Sequence, residues 1–265
     1  MFKRLLAQCK TNYNKMECCG DRFKCDCGAC LSEGFDIRSS KVDTYKCAKR
    51  MNYYVLKYGS SGISEIYHYL SASKILETFQ NQNIKIMSLG CGFAPDYYAI
   101  EKYIQDNKLS INFTYDGFDY SDFWRGARLS DIKNANYFLS DVTKAPIDFS
   151  KYQIIIICKL LSTLKNSSAS VDAFLTNIIS AVENTMAKNA VLIFNDFNSA
   201  YTGCDDFDEA VSSLFKKKFI RKYYAGSSAY HEPSWIEIKN NDIIYPPNAH
   251  ALGQTGQGVF FEFRK

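Results

Sequence analysis

Residues 84–96, Ile84-Lys-Ile-Met-Ser-Leu-Gly-Cys-Gly-Phe-Ala-Pro-Asp96, decide the fold. An apolar run feeds a tight Gly90-Cys91-Gly92 turn, and Pro95 and Asp96 then open a helical pattern. A strand, a glycine turn and a helix start, in that order, make a nucleotide-type cradle. The glycines let backbone N–H groups approach a ligand, and the helix presents its positive end. A dinucleotide fingerprint needs a third glycine where this chain has Pro95, which argues against nicotinamide and flavin cofactors. No Gly-Lys-Ser/Thr follows the strand, so a P-loop is absent.

Downstream, strands and helices alternate as in an α/β domain. The second strand is Ile111–Asp119, with a helix near 121–132. The third is Ala135–Ser140, ending at Asp141. The fourth, Tyr152–Cys158, has an unbroken apolar run that suits a strand buried on both faces. A helix near 170–187 precedes a fifth strand, Ala190–Phe194. A helix near 205–218 leads to a sixth at Phe219–Tyr224, and the last strand is Gly258–Phe263. A long irregular segment, 225–257, carries Tyr230, His231, Trp235, Tyr245 and His250 and room for a short strand at Trp235–Ile238. Loops of this size are usually functional or disordered, and this one reads as a substrate-binding lid. Upstream, residues 51–82 read as helical, with Ile63, Ile66, Tyr67, Leu70, Ile75, Leu76 and Phe79 near a 3.6-residue spacing.

At the end of the second strand, the Asp119 carboxylate can accept both hydroxyls of a ribose. Asp141 stands where an adenine amine could be met. With the glycine turn Leu89–Asp96, the acidic Asp119, the Asp141-Val142 pair and a closing strand at Val259–Arg264, the chain resembles the class I S-adenosylmethionine-dependent methyltransferases over about residues 60–265. The resemblance implies an α/β, Rossmann-like, mostly parallel seven-stranded sheet with an antiparallel last strand. It implies S-adenosylmethionine as cofactor, with Gly90, Cys91 and Gly92 flanking the methionine part and Asp96 assisting at its amino-acid end. Asp119 and Tyr120 would hold the ribose, Asp141 and Val142 the adenine, and Cys158 would border the same site.

Methyl transfer is an in-line displacement, so the protein has mainly to align the acceptor and sometimes to take a proton. No Asp/Asn-Pro-Pro-aromatic motif follows the fourth strand, which disfavours methylation of exocyclic amines in bases. Cys158 lacks the preceding proline of cytosine-C5 enzymes, so it reads as a packed thiol rather than a nucleophile. Lys159, Asn195, Asp196 and His231 are the candidates for acceptor contacts or general-base work, set against surface, capping and turn roles.

The first 50 residues are cysteine-rich and show weak periodicity. Cys25-Asp-Cys27-Gly-Ala-Cys30 with Cys47 could form a Cys₄ zinc site, with Cys18 or Cys19 as alternates. Reduced, packed thiols are the plainer reading. Residues 1–60 hold 12 Lys/Arg against 6 Asp/Glu, a basic segment on a near-neutral body. The layout divides into a metal-binding segment, 1–50, and a methyltransferase domain, 51–265. It is similar to that of certain ribosomal-RNA guanine methyltransferases, although a histidine of their ligand set has no counterpart here. It favours a macromolecular acceptor, RNA ahead of protein. A small-molecule methyltransferase with the N-terminal segment as a lid, and a non-catalytic binding module, are the alternatives. The chain has no apolar run near 18 residues and no apolar signal core at its start, so a cytoplasmic protein without a membrane span is expected.

Overall fold

The computed structural model describes residues 1–17, 26–34, 45–166, 170–199, 202–225, 234–238 and 257–265. Among the described residues, eight strands form one sheet: β1 (Asn83–Leu89), β2 (Asn112–Asp119), β3 (Ala135–Leu139), β4 (Ile154–Cys158), β5 (Val191–Phe197), β6 (Lys217–Ala225), β7 (Ile236–Ile238) and β8 (Gln257–Arg264). Their order is β3-β2-β1-β4-β5-β8-β6-β7. Strands β1 to β5 pair in parallel, and β8 runs antiparallel between β5 and β6. The expected seven strands become eight, because Ile236–Ile238 adds a short parallel edge to β6.

Alternation along the central strands sorts side chains to two cores. Ile84, Ile86, Ile154, Ile156, Val191 and Ile193 face one layer of helices. Met87, Leu89, Ile155, Ile157, Leu192 and Phe194 face the other. A sheet covered on both faces gives the β4 run of four isoleucines no polar positions, because neither face meets water.

The first layer holds α1 (Phe2–Lys15), α3 (Ala48–Ser73) and α4 (Pro95–Asp106); a short helix, α2 (Cys27–Gly34), touches α3. The second holds α5 (Leu160–Asn166), α6 (Val171–Asn184) and α7 (Cys204–Val211). The Ser170 side chain caps α6 by accepting from the Ala173 N–H at 3.1 Å. The pattern at 51–82 resolves into α3 and a 3₁₀ turn, Ile75–Phe79, separated by Lys74 in the left-handed region at φ 53°. The helix expected near 121–132 is a 3₁₀ segment, Asp122–Ala127, and the one near 205–218 stops at Val211.

Helix α1 is a departure from the weak periodicity read for the N-terminal part. Phe2, Leu5 and Cys9 lie on one stripe and are buried in the first-layer core. Phe2 approaches α3 at Gly59, where a Cβ would sit 2.9 Å from its ring, so glycine is what lets the two helices close. Asn12 and Gln8 extend the stripe with polar contacts, donating to the Gly126 carbonyl at 2.8 and 3.1 Å.

Candidate functional site

The carboxyl ends of β1, β2, β4 and β5 meet at one edge of the sheet. At the end of β1, Gly90 and Cys91 donate to the Phe118 carbonyl at 2.8 and 3.1 Å, which turns the chain sharply off the strand. Gly90, Gly92 and Ala94 all take left-handed backbone, at φ 66°, 52° and 66°. At Gly90 a Cβ would also lie 2.7 Å from Leu160 Cδ1, so the position is closed to any side chain twice over. Pro95 occupies the first helical position of α4, where its missing N–H costs nothing.

Asp119 is buried at the end of β2 and joins three segments. Its Oδ2 accepts from the Gly92 N–H at 2.8 Å, and its Oδ1 from the Ser121 N–H at 2.9 Å. Burial pushes this carboxyl up, while the Ser121 and Gly92 amides and the Arg128 guanidinium pull it back. Arg128 fastens the turn from its other side, donating to the Gly92 carbonyl at 2.6 Å and lying 4.5 Å over the Tyr137 ring. Tyr120 is exposed beside it.

Asp96, in the first turn of α4, is fully buried, and its Oδ1 accepts from Tyr115 OH at 2.9 Å. Burial raises its pKa, opposed by the hydroxyls of Ser88 and Tyr115. Asp141 closes its own turn, accepting from Thr143 N at 3.0 Å and Oγ1 at 2.6 Å and pairing with Lys144 at 2.8 Å. Burial alone would lift the Asp141 carboxyl, but Lys144 and Thr143 outweigh it and hold it low. Val142 is buried, with its carbonyl taken by Asn177.

At the ends of β4 and β5 the structure separates the acceptor candidates. Asp196 is fully buried and accepts from the Ser162 N–H at 3.0 Å and its neighbour Phe197 N–H at 2.8 Å. It caps the first turn of α5 from the neighbouring strand, the capping role that the sequence set beside a substrate contact. Asn195 is equally buried, donating to Glu65 Oε1 and the Val259 carbonyl, both at 3.2 Å, and accepting from Cys158 Sγ at 3.1 Å. Burial pushes the Cys158 thiol well up, so it stays protonated and packed. Lys159 keeps part of its side chain, 22%, accessible, and Cys158 is likewise only partly buried. His231 lies outside the described residues.

Two neighbours were not singled out in the sequence. Glu65 on α3 reaches under the edge to bond Lys159 and Asn195; an acid inside the Ile63–Ile66 apolar stripe was the available signal. Tyr45 spans the edge above: its carbonyl accepts from Ser121 Oγ at 2.7 Å, and its hydroxyl meets Thr163 Oγ1 at 3.4 Å. Its ring adjoins Trp124, which with Tyr54 and Phe93 forms an aromatic wall beside Gly92.

Among the described residues no group of three or more His, Cys, Asp or Glu is placed to hold a metal ion. Cys18, Cys19 and Cys25 lie outside the described residues, while Cys27, Cys30 and Cys47 are buried thiols. The zinc expectation therefore gains no support. Nor, among the described residues, is any helix long and apolar enough to cross a membrane.

The plantazolicin methyltransferase BpumL, solved with S-adenosylhomocysteine and a triazolic desmethylPZN analog, superposes with a TM-score of 0.51 over 100% of this chain and 98% of its own, at 12% identity. This chain has the class I S-adenosylmethionine-dependent methyltransferase fold. A TehB-like methyltransferase from Corynebacterium glutamicum covers 78% of this chain and 98% of its own at 14% identity and a TM-score of 0.43. No family model and no curated protein matches the sequence. At such identities the likeness is one of fold, and the methyltransferase sheet places the Gly90–Gly92 turn and Asp119 at adjoining strand ends on its carboxyl edge.

Proposed function

We propose that this protein transfers a methyl group from S-adenosylmethionine to a small acceptor held at the carboxyl edge beneath Tyr45. The observation that carries the cofactor assignment is the joint between Gly92 and Asp119. A carboxylate offers about four lone-pair sites; the Gly92 and Ser121 amides use one on each oxygen, and the Tyr120 amide bears on it as well. The lone-pair capacity left over can accept from the ribose, so the residues present fit the cofactor. Gly90 and Gly92 leave backbone bare for its methionine part, and exposed Tyr120, Phe138 and Leu139 offer apolar surface near the adenine end. When bound, the cofactor supplies an electrophilic methyl on a sulfonium. The chain's own task is to hold the acceptor in line and exclude water.

Tyr45 supports a small acceptor over RNA. It ties the end of β2 to the start of α5 across the edge, so this part of the N-terminal segment covers the site. The RNA reading rested on the basic charge of residues 1–60 and on the layout of a metal-binding segment ahead of the domain. Incubation of the protein and methyl-labelled cofactor with a size-fractionated cell extract tests this. Label in the dialysable fraction is expected, and label confined to RNA or protein would defeat the small-acceptor reading.

A further inference from the structure

Lys159 follows β4 at the edge, and its backbone sits at φ 54°, in the left-handed region that a lysine rarely takes. The conformation is held on both sides. Its N–H donates to the Asn195 carbonyl at 2.8 Å, and its own carbonyl accepts from Thr163 Oγ1 at 2.9 Å. A glycine would satisfy the same backbone without strain, so the side chain is what the position keeps.

That side chain is fixed in an unusual setting. Its Nζ donates to the buried Glu65 Oε1 at 3.1 Å and lies 4.0 Å over the Phe197 ring. An ion pair in such surroundings adds little to stability, because desolvation offsets most of the attraction. The carboxylate does keep the ammonium charged: burial would depress the Lys159 pKa, but Glu65 and Asp196 raise it on balance. Paired with Glu65, the ammonium is a donor, and one of its three N–H groups is directed at Glu65.

Its position is also informative. Leu160, the next residue, packs on Gly90, so Lys159 stands one residue from the glycine turn. The partly exposed Lys159 side chain and the half-exposed Phe197 ring border the same edge. Glu65 and Asp196 offset the Lys159 charge, so what the ammonium offers an acceptor is its donors, which another ammonium cannot use. An oxyanion can accept from them, and it is attracted to the cofactor's sulfonium.

We propose that Lys159, held by Glu65, is the binding residue for an oxyanion on the acceptor, a carboxylate or a phosphate. This deepens the proposed function and rests on it. The pair stores a cation at the edge in neutralised form, and an incoming oxyanion takes the lysine donors that Glu65 leaves.

The test is a titration of the ¹⁵N-labelled protein, without cofactor, with inorganic phosphate and separately with acetate at constant ionic strength. Saturable shifts of the Lys159 and Phe197 amides are expected with at least one anion, and the tighter anion names a phosphorylated or a carboxylated acceptor. Methylammonium serves as the cationic control and should give none. Lys159→Met should weaken anion binding tenfold or more, whereas Glu65→Gln, which frees the ammonium, should tighten it severalfold. If Lys159→Met does not fold because Glu65 is left unpaired, the double variant Glu65→Gln/Lys159→Met carries the same expected loss. No saturable shift with either anion, saturation by methylammonium instead, or equal anion binding in wild type and the lysine variant would overturn the proposal. Because the readout needs no cofactor, its failure is distinct from a failure of the methyltransferase reading, which cofactor binding decides.

Discussion

The Gly92 N–H donates to Asp119 Oδ2 at 2.8 Å, so one hydrogen bond locks the glycine turn after β1 to the acidic end of β2. Replacing Asp119 with Ala removes the acceptor for the Gly92 and Ser121 amides and for the ribose together. The lost bonds should cost the fold about 1–3 kcal/mol. Cofactor affinity should fall tenfold or more, equivalent to about 1.4 kcal/mol. Calorimetry with S-adenosylhomocysteine and urea unfolding measure the two effects, and an unchanged affinity would refute the ribose assignment.

Gly258 in β8 faces Glu65 so closely that a Cβ there would lie 2.1 Å from Glu65 Oε1. Gly258→Ala must push the carboxylate off Lys159 and Asn195 and leave buried charge poorly paired. A loss on the order of 3 kcal/mol is expected from overpacking and the broken pair. Denaturant midpoints at unchanged m-value would report it, and a near-neutral variant would mean that Glu65 is not held as described.

Asp96 buries a carboxylate with a raised pKa, so the native state binds its proton more tightly than the unfolded chain, whose value is about 3.9. Protonation therefore favours folding, and the wild type loses this contribution as pH rises through the folded pKa. Asp96→Asn has no such proton to lose. Its stability relative to wild type should improve from acid toward neutral pH and level off above the folded pKa. Unfolding curves across that range test it; a difference independent of pH would show that Asp96 is not desolvated.

Helix α1 is built into the first-layer core through Phe2, Leu5 and Cys9. Leu5 is fully buried, so Leu5→Ala should cost about 2–5 kcal/mol. A thermal scan giving less than about 1 kcal/mol would show that α1 is peripheral.

The sequence carries the parts of this fold whose signals are local. The strand, glycine turn and helix at 84–96 are legible because backbone demands pick residue types: glycine for positive φ, proline for the first helical position. Asp119 is legible because a carboxylate ends a strand. Helix α1 was obscured because its stripe mixes Phe2 and Leu5 with Cys9 and Asn12, residues whose worth depends on Gly59 and Gly126 more than 40 positions away. The acceptor edge is harder still. Asn195 and Asp196 advertise themselves as polar residues at a strand end, yet both turn inward to partners on other elements. Glu65 and Tyr45 enter from the N-terminal third, and pairings at separations such as Glu65 with Lys159 leave no mark in spacing. The edge strand Ile236–Ile238 falls within the short strand read at Trp235–Ile238, whereas its pairing with β6 leaves no mark in the sequence.

The most direct test of the central claim is calorimetric titration of the wild-type protein with S-adenosylmethionine and S-adenosylhomocysteine. Saturable one-to-one binding is expected, with a dissociation constant well below about 1 mM, the level at which binding energy falls to about 4 kcal/mol. An absence of heat at millimolar concentrations of both ligands, from protein shown to be folded, would contradict it.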